Sequence, residues 1–354
     1  MRGWQPACQR RNEGVSAAAR AGDLRPFASD KAILAEPKWA CSGLPDATYG
    51  RGYTGTGTAM SASTATDTTS GIGRTGAGGG DFRIGSEEHK TLFCRMFLDS
   101  YDPYKPAVID WPKLAPDALA RLTSLPFWDI AVSTEESASR RMDAMAAVSD
   151  DLLIREAVAL NAYEERRHKE VLGHMIRFYG IQLKPQEPYV APTSPLWGFL
   201  RTGYGECFDS FFAFGLFALA KRSGFFPPEL VEVFEPVIQE EARHNLFFVN
   251  WAAYMKHRQG GLARLSFQTK SLAALACQAW SRLKMARKTD SNNFTVNSGG
   301  SMGLDISPRN FFALCASENE RRLAPFDPRL LRPRMMPMLV RFASRFMPKE
   351  KAAA

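Results

Sequence analysis

Residues 161–172 read NAYEERRHKEVL, and residues 237–248 read VIQEEARHNLFF. Both stretches contain the pattern Glu-Glu-x-Arg-His, at residues 164–168 and at residues 240–244. With five histidines and 20 glutamates in the chain, a random sequence would place a glutamate three positions before a histidine only about 0.3 times. Two copies of the longer pattern therefore indicate a duplicated functional element.

The two patterns lie on predicted helices. Residues three apart on an α-helix project from the same side, so Glu165 with His168, and Glu241 with His244, can bind one ion. Apolar residues around them recur at intervals of three and four, which predicts that these faces are buried. A buried carboxylate and imidazole are costly unless a partner neutralises them. Two such pairs facing each other therefore predict metal ions between them.

The alternative explanation of the two patterns is structural. In it, Glu165 and Glu241 form buried ion pairs with Arg167 and Arg243, and the histidines are ordinary core residues. A single Glu-x-x-His pattern would favour this explanation. Two copies, each in the middle of an apolar face, favour a metal site.

A centre with two ions needs further carboxylates. Glu135 and Glu206 lie on predicted helices, 30 and 35 residues before the second glutamate of each motif. The chain therefore repeats a helix with one glutamate followed by a helix with the full motif. Glu136 is the alternative to its neighbour Glu135, and Asp209 is the alternative to Glu206.

The helical periodicity predicts an all-α protein, and no stretch alternates with period two for long enough to predict a strand. Pro236 predicts a kink or a new start in the fourth central helix, one turn before Glu241. Four central helices are predicted over residues 126–148, 150–179, 195–222 and 227–257. Three further helices are predicted over residues 262–288, 308–322 and 334–347.

Composition divides the chain into four segments. Residues 60–80 are almost entirely Ser, Thr, Gly and Ala, a composition that buries too little apolar surface to fold. The sequence fits equally well with a protein whose synthesis begins at Met60, in which case residues 1–59 are not translated. Residues 1–80 are predicted to be a disordered low-complexity region, and residues 81–125 an ordered lead-in. Residues 126–257 form the four central helices, and residues 258–354 form a basic helical extension.

Charge and cysteine content exclude several classes of protein. The net charge of +8 is unevenly distributed. Residues 81–250 carry 25 acidic and 18 basic side chains, whereas residues 251–354 carry 6 acidic and 18 basic side chains. The longest apolar run, residues 211–220, is too short to cross a bilayer, and the Arg-rich start lacks the apolar segment of a secretory signal. The six cysteines are scattered without a C-x-x-C pair, which predicts a cytoplasmic location.

Over residues 126–257 the chain resembles the ferritin-like di-iron carboxylate proteins, whose helical core supplies one glutamate from each of two helices and a Glu-x-x-His from each of the other two. The resemblance implies a ferritin-like four-helix bundle with additional helices in N- and C-terminal extensions. It implies two iron ions, with manganese as the alternative. One ion is expected on the first three and the other on the last three of six ligands, with some of the carboxylates bridging the two ions. The six ligands are Glu135, Glu165, His168, Glu206, Glu241 and His244.

The resemblance also implies an activity. The chain lacks the paired C-x-x-C of peroxide-reducing relatives, and Leu172 stands where radical-generating subunits carry a tyrosine. This leaves a di-iron, O2-dependent oxidoreductase of oxygenase, hydroxylase or desaturase type, with an external electron donor and no catalytic residue beyond the ligands. The alternatives are a redox-protective, rubrerythrin-like peroxidase without an organic substrate, and a non-catalytic helical interaction protein.

The sequence constrains the other partners less. The phenylalanines of residues 208–226 indicate either an apolar channel for an organic substrate or core packing, of which core packing is favoured. A monomer or homodimer is expected, and nucleic acid is not an expected partner. Residues 334–347 predict a basic helix that either packs on the bundle or contacts an anionic membrane through its apolar residues, which are Met335, Met338, Leu339, Phe342 and Phe346.

Overall fold

A computed structural model of the chain describes residues 82–287 and 306–347. The segment predicted to be disordered, residues 1–80, lies outside these ranges. All regular structure within them is helical, which confirms the all-α prediction. The α-helices are α1 (Glu87–Asp99), α2 (Pro116–Thr123), α3 (Trp128–Ala147), α4 (Leu152–Tyr179), α5 (Pro195–Ser223), α6 (Pro228–Glu232), α7 (Glu235–Arg258), α8 (Gly261–Arg287), α9 (Pro308–Leu323) and α10 (Met335–Ser344).

The central helices agree with the sequence prediction except at the fourth. The helix predicted over residues 227–257 is divided, because α6 ends at Glu232 and α7 begins afresh at Glu235. Pro236 lies in the first turn of α7, where its missing N–H leaves no helical hydrogen bond unmade. The new start predicted from this proline is confirmed. The lead-in contains two helices, α1 and α2, that the sequence did not predict.

Four long helices surround the interior of the protein. Helix α3 packs against α4 and α5, and α7 packs against the same two helices. Helix α1 lies against α4 and α7, while α8, α9 and α10 each contact α5. Burial of an aromatic side chain in such a core contributes about 2–3 kcal/mol. Fully buried aromatic side chains from α1, α5 and α7 form the largest cluster: Phe93, Phe97, Phe199, Phe214, Phe247, Phe248 and Trp251.

The phenylalanines of α5 belong mainly to the core. Phe199, Phe211 and Phe214 are each at most 1% exposed. Phe208 and Phe211 pack in a second cluster with side chains of α9 and α10. In the part of the chain that the structure describes, no helix has both the length and the hydropathy needed to cross a bilayer.

Asp151 caps the N-terminus of α4 and ties it to α1. Its Oδ1 accepts hydrogen bonds from the amides of Leu153 and Ile154 at 3.0 and 3.1 Å, and its Oδ2 lies 2.5 Å from Lys90 Nζ. Burial alone would raise the pKa of Asp151, but Lys90 and the two amides lower it below its usual value. The contacts of ionised Asp151 therefore stabilise the protein fully above the ordinary aspartate pKa. This stabilisation is lost as the pH falls through the lowered pKa of Asp151.

Replacement of this cap should destabilise the whole protein. Asp151→Ala is expected to reduce the free energy of unfolding by about 1–2 kcal/mol at neutral pH, because two amides of the first turn lose their acceptor. Urea denaturation of both proteins measures the difference, which should shrink towards pH 3. Asp150→Ala is the matched control, since the structure assigns the cap to Asp151. Equal losses from the two variants would contradict the assignment.

Gly203 allows α5 to approach α7 closely. A Cβ at this position would lie 2.1 Å from Cδ2 of Phe248, which is one helical turn after His244. Gly203→Ala is expected to force the two helices apart, at about 1–3 kcal/mol of stability, and to move Glu206 away from His244.

A second helical glycine provides the control for Gly203. A Cβ at Gly173 in α4 would meet only the far end of Arg177, at 3.4 Å. Gly173→Ala should therefore stabilise the protein by about 0.5–1 kcal/mol through helix propensity. Thermal unfolding should show opposite signs for the two alanine variants, and a shared sign would contradict the close approach at Gly203.

Candidate metal centre

The structure brings the six predicted ligands together between α3, α4, α5 and α7. They form two groups, in each of which the ligand atoms all lie within 4.8 Å of one another. Glu165 belongs to both groups and so is placed to bridge two ions. The first group contains Glu135, Glu165, His168 and Glu241, and the second contains Glu165, Glu206 and His244.

The division between the two groups differs from the one expected from the resemblance. Glu241 was expected with His244, on its own helix. In the structure its Oε1 lies 3.3 Å from Nδ1 of His168, while its Oε2 lies 4.0 Å from Nδ1 of His244. Glu165 Oε1 in turn lies 2.9 Å from Nδ1 of His244. The second glutamate of each motif therefore contacts the histidine of the other helix, and Glu165 is the one that belongs to both groups.

The structure distinguishes Glu135 from its neighbour. Glu135 Oε2 lies 3.6 Å from Nδ1 of His168. Glu136 instead forms ion pairs with Arg140 at 2.7 Å and with Lys169 at 3.0 Å. Glu135 is therefore the carboxylate that α3 directs into the cluster.

Glu206 occupies the cluster from α5, and its alternative does not. Asp209 accepts a hydrogen bond from Arg282 Nε at 3.1 Å and belongs to neither group of ligands. Both carboxylate oxygens of Glu206 are buried without a hydrogen-bond partner. Burial, and after it the charges of Glu165 and Glu241, raise the pKa of Glu206 well above its usual value. A buried carboxyl group without a donor is a strained element unless something further binds to it.

Glu240, which the sequence did not single out, anchors His168. Nε2 of His168 donates to Glu240 Oε2 at 2.8 Å, and Arg167 donates to Oε1 of the same carboxylate. Arg167 is itself held by the lead-in, where it donates to the carbonyl of Asp102 at 2.6 Å and lies 3.9 Å from the ring centre of Tyr104. This network fixes the orientation of the His168 ring.

Glu164 plays the same part for His244. It accepts hydrogen bonds from His244 Nε2 and from Arg243 Nη2, both at 2.9 Å. Arg243 also donates to the carbonyl of Phe97 in α1. Because residue 164 lies opposite residue 244 and residue 168 lies opposite residue 240, α4 and α7 run antiparallel here. The two halves of the site thus have the same construction.

The buried arginine pairs of the structural alternative do exist, but with other glutamates. Each arginine pairs with the first glutamate of the opposite motif, Glu164 or Glu240. Neither the second glutamates, Glu165 and Glu241, nor Glu206 has an arginine or lysine within ion-pair distance among the described side chains of residues 82–284 and 306–347. The signal for the arginine network was present in the sequence, since the first glutamate and the arginine recur in both motifs.

The histidines present unpaired nitrogen atoms to the carboxylates. A carboxylate only accepts hydrogen bonds, so Nε2 of each histidine carries the proton that it donates to Glu164 or Glu240. Nδ1 of both rings is buried without a hydrogen-bond partner, and the ring centres lie 5.5 Å apart. Tying one ring nitrogen to a buried carboxylate is the usual way in which proteins orient a metal-binding histidine.

Without a cation, protons must hold this cluster together. Burial alone would lower the pKa values of His168 and His244, but the surrounding carboxylates raise both well above the usual value. Burial raises the pKa of Glu165 to about 8. At neutral pH both histidines and Glu165 of the metal-free cluster therefore carry protons, and a metal ion would replace them.

Metal binding should accordingly depend strongly on pH. Because raised pKa values mean that ligands are protonated near neutrality, the affinity for Fe(II) is expected to fall at least about tenfold for each pH unit below pH 8. Anaerobic titration calorimetry in two buffers with different ionisation enthalpies measures the protons released. Affinity that is constant between pH 6 and pH 8 would contradict displacement of protons.

Solvent reaches the cluster at one edge. The side chains of Glu135 and Glu241 are 18% and 15% exposed, whereas those of His168 and His244 are at most 1% exposed. Ser210 of α5 is buried and donates to Glu241 Oε2 at 3.2 Å. A small molecule could therefore approach the carboxylates without crossing the core.

Comparison of the chain with family models, with curated proteins and with solved structures gives no match. The donor atoms of the cluster are therefore what points to a chemistry. Four carboxylates carry the charge that balances two divalent cations, and imidazole together with carboxylate suits iron or manganese.

Proposed function

We propose that this chain is a ferritin-like four-helix protein whose two metal ions, iron in the first place, activate O2 to oxidise an organic substrate. One observation carries the proposal. Four carboxylates and two imidazole Nδ1 atoms face one another in the interior, and neither arginine nor lysine neutralises them in the described parts of the chain. Such a set of acceptors is stable only with cations or protons between them.

The residues of the chain have separate tasks in this proposal. When bound, reduced iron ions supply the electrons with which O2 is activated for attack on a C–H or N–H bond. Glu165 belongs to both groups of ligands and Glu241 lies beside His168, while Glu164 and Glu240 hold the histidine rings in place. The buried helix faces exclude bulk water from the histidine side, and Glu135 and Glu241 are the ligands in contact with solvent.

Metal analysis tests the proposed centre. Protein loaded anaerobically with Fe(II) and desalted is expected to hold about two iron ions per chain by mass spectrometry of the metal. The double variant His168→Ala/His244→Ala should hold almost none. The matched control is Glu136→Ala, next to a proposed ligand but paired with Lys169 and Arg140, which should keep both ions. Iron-free wild-type protein, or a double variant that keeps its iron, would contradict the centre.

The exposed edge favours a second candidate, reduction of peroxide without an organic substrate. Glu135 and Glu241 are the ligands that a small oxidant would meet first. The reduced protein should therefore be mixed with O2 and a panel of lipids, amines and aromatic acids, and separately with hydrogen peroxide. An oxygenated organic product supports the oxidase-type function. Rapid turnover of peroxide without any organic product would contradict oxidation of an organic substrate and support the redox-protective peroxidase function.

A further inference from the structure

Helix α10 has an exposed apolar surface that no described element covers. On its opposite side, Met336 and Val340 are buried and pack with phenylalanines of α5 and α9. The exposed side carries four large apolar side chains that are between 50% and 75% exposed: Met338, Leu339, Phe342 and Phe346.

Three arginines border this apolar surface. Arg334, Arg341 and Arg345 are exposed, and at 100° per residue they fall within about 40° of one another around the helix axis. The apolar side chains occupy the neighbouring arc. Among the residues that the structure describes, no carboxylate lies within ion-pair distance of these arginines, and α10 itself has no acidic residue.

Helix α8 repeats the same combination. It runs from Gly261 to Arg287 without an aspartate or glutamate. Both α8 and α10 pack on α5, and Leu275 of α8 joins the buried cluster that contains Met336 of α10. The exposed apolar side chains of α8 recur on one face and are Leu262, Leu265, Leu272, Trp280 and Leu283.

We propose that the exposed faces of α10 and α8 bind the protein peripherally to an anionic membrane surface. The apolar side chains enter the boundary between headgroups and acyl chains, and the arginines bind lipid phosphates. Charge complementarity selects this partner. A symmetric contact with a second copy of the chain would bring the same unpaired arginines together, whereas anionic headgroups neutralise them.

Vesicle binding tests the proposal with the full-length protein. Co-sedimentation is compared for vesicles of phosphatidylcholine alone and for vesicles that also contain phosphatidylserine. Binding to the anionic vesicles should be at least about tenfold stronger and should fall as salt screens the arginines. Absent binding, or equal binding to both kinds of vesicle at low and high salt, would overturn the proposal.

Two pairs of substitutions on α10 separate the apolar contribution from the charges. Phe342→Ser/Phe346→Ser should weaken binding to anionic vesicles at least about tenfold, because two aromatic anchors are lost. Arg341→Gln/Arg345→Gln should weaken it about 30-fold and flatten the dependence on salt. Circular dichroism establishes that the variants remain folded. Wild-type binding by either variant would overturn the role of α10.

A pair on α8 and a control pair complete the comparison. Leu272→Ser/Trp280→Ser should also weaken binding, and wild-type binding by this variant would overturn the inclusion of α8. The control Val108→Ser/Val190→Ser removes two apolar side chains that are 77% and 81% exposed on other segments. It should bind like the wild type, and a similar loss in the control would show that binding is not localised.

The surface and the metal centre can be tested separately. The metal-free variant His168→Ala/His244→Ala should bind anionic vesicles like the wild type, because α8 and α10 contribute none of the proposed ligands. Light scattering after size exclusion tests the competing occupant. A wild-type dimer that Phe342→Ser/Phe346→Ser dissociates, together with absent vesicle binding, would overturn the proposal in favour of a second copy.

Discussion

Glu206→Leu is expected to stabilise the metal-free protein and at the same time to prevent binding of one of the two proposed ions. Both oxygens of Glu206 are buried without a hydrogen-bond partner, and the raised pKa of this carboxyl shows that its surroundings oppose its charge. A buried polar group without a partner costs about 1–3 kcal/mol, and leucine has a similar volume. Urea denaturation of the metal-free variant should therefore give a free energy of unfolding higher by about 1–3 kcal/mol.

The same substitution should impair the second group of ligands. Glu206 and His244 share this group with Glu165, so a leucine leaves only two protein ligands for one ion. We expect about one iron ion per chain in Glu206→Leu after loading and desalting. Stability and metal content are thus predicted to change in opposite directions, which is typical of a residue retained for function rather than for folding.

Asp209→Leu is the matched control for Glu206→Leu. Asp209 lies one turn further along α5 and is paired with Arg282. Its replacement should leave the metal content unchanged and should not stabilise the protein, since Arg282 loses its partner. If Glu206→Leu destabilised the metal-free protein and kept both ions, Glu206 would be a structural residue.

The positions of the helices followed from the sequence because local signals determine them. The periodicity of residues 150–179 and the glycine that follows predict α4, and Gly180 does adopt the left-handed conformation that ends the helix. Pro236 predicted the start of α7. Helix α1 was missed although nearly half of its residues are apolar, because its burial depends on α4 and α7, which are distant in sequence.

Which side chains meet across two helices did not follow from the sequence. The spacing within one motif predicted Glu165 with His168, and the two do belong to one group, but the register of α4 against α7 also places Glu165 Oε1 2.9 Å from His244 Nδ1. The same register brings Glu164 and Glu240 to the opposite histidines. A pattern of three and four residues describes one helix face, whereas the offset between two helices depends on packing along their whole length.

Helix α10 illustrates the same limit at the surface. Its sequence contains apolar residues on two arcs, and periodicity alone does not identify the arc that is covered. Contacts with α5 and α9 bury Met336 and Val340 and leave Phe342 and Phe346 in solvent. The arginines and their position beside the apolar arc follow from the sequence at 100° per residue, but the fold was needed to show that this arc is exposed.

Arg243→Ala is expected to have the largest effect on stability. Glu164 is fully buried, and its pKa is held below the usual value because His244 and Arg243 outweigh the effect of burial. Loss of the guanidinium leaves a buried carboxylate with one donor, which should reduce the free energy of unfolding by about 3–5 kcal/mol. Iron affinity should fall about 10–100-fold, because the carboxylate that orients His244 is no longer fixed.

The double variant Arg243→Met/Glu164→Met separates the two effects. Replacement of both charges by apolar groups of similar length should restore most of the stability lost in Arg243→Ala, because no unpaired charge stays buried. It should not restore the affinity for iron, since Nε2 of His244 has then lost its acceptor. Denaturation and anaerobic iron titration of the single and double variants measure both quantities.

The other half of the site provides an internal comparison. Arg167→Ala should also weaken iron binding through His168, but it additionally removes the contacts that hold the lead-in at Asp102 and Tyr104. Proteolysis near these two residues should therefore increase in Arg167→Ala and not in Arg243→Ala. Arg243→Ala could instead lower the free energy of unfolding by less than about 1 kcal/mol and bind iron like the wild type. The ion pairs of Arg243 with Glu164 and of Arg167 with Glu240 would then orient neither histidine, and the repeated arginine would need another explanation.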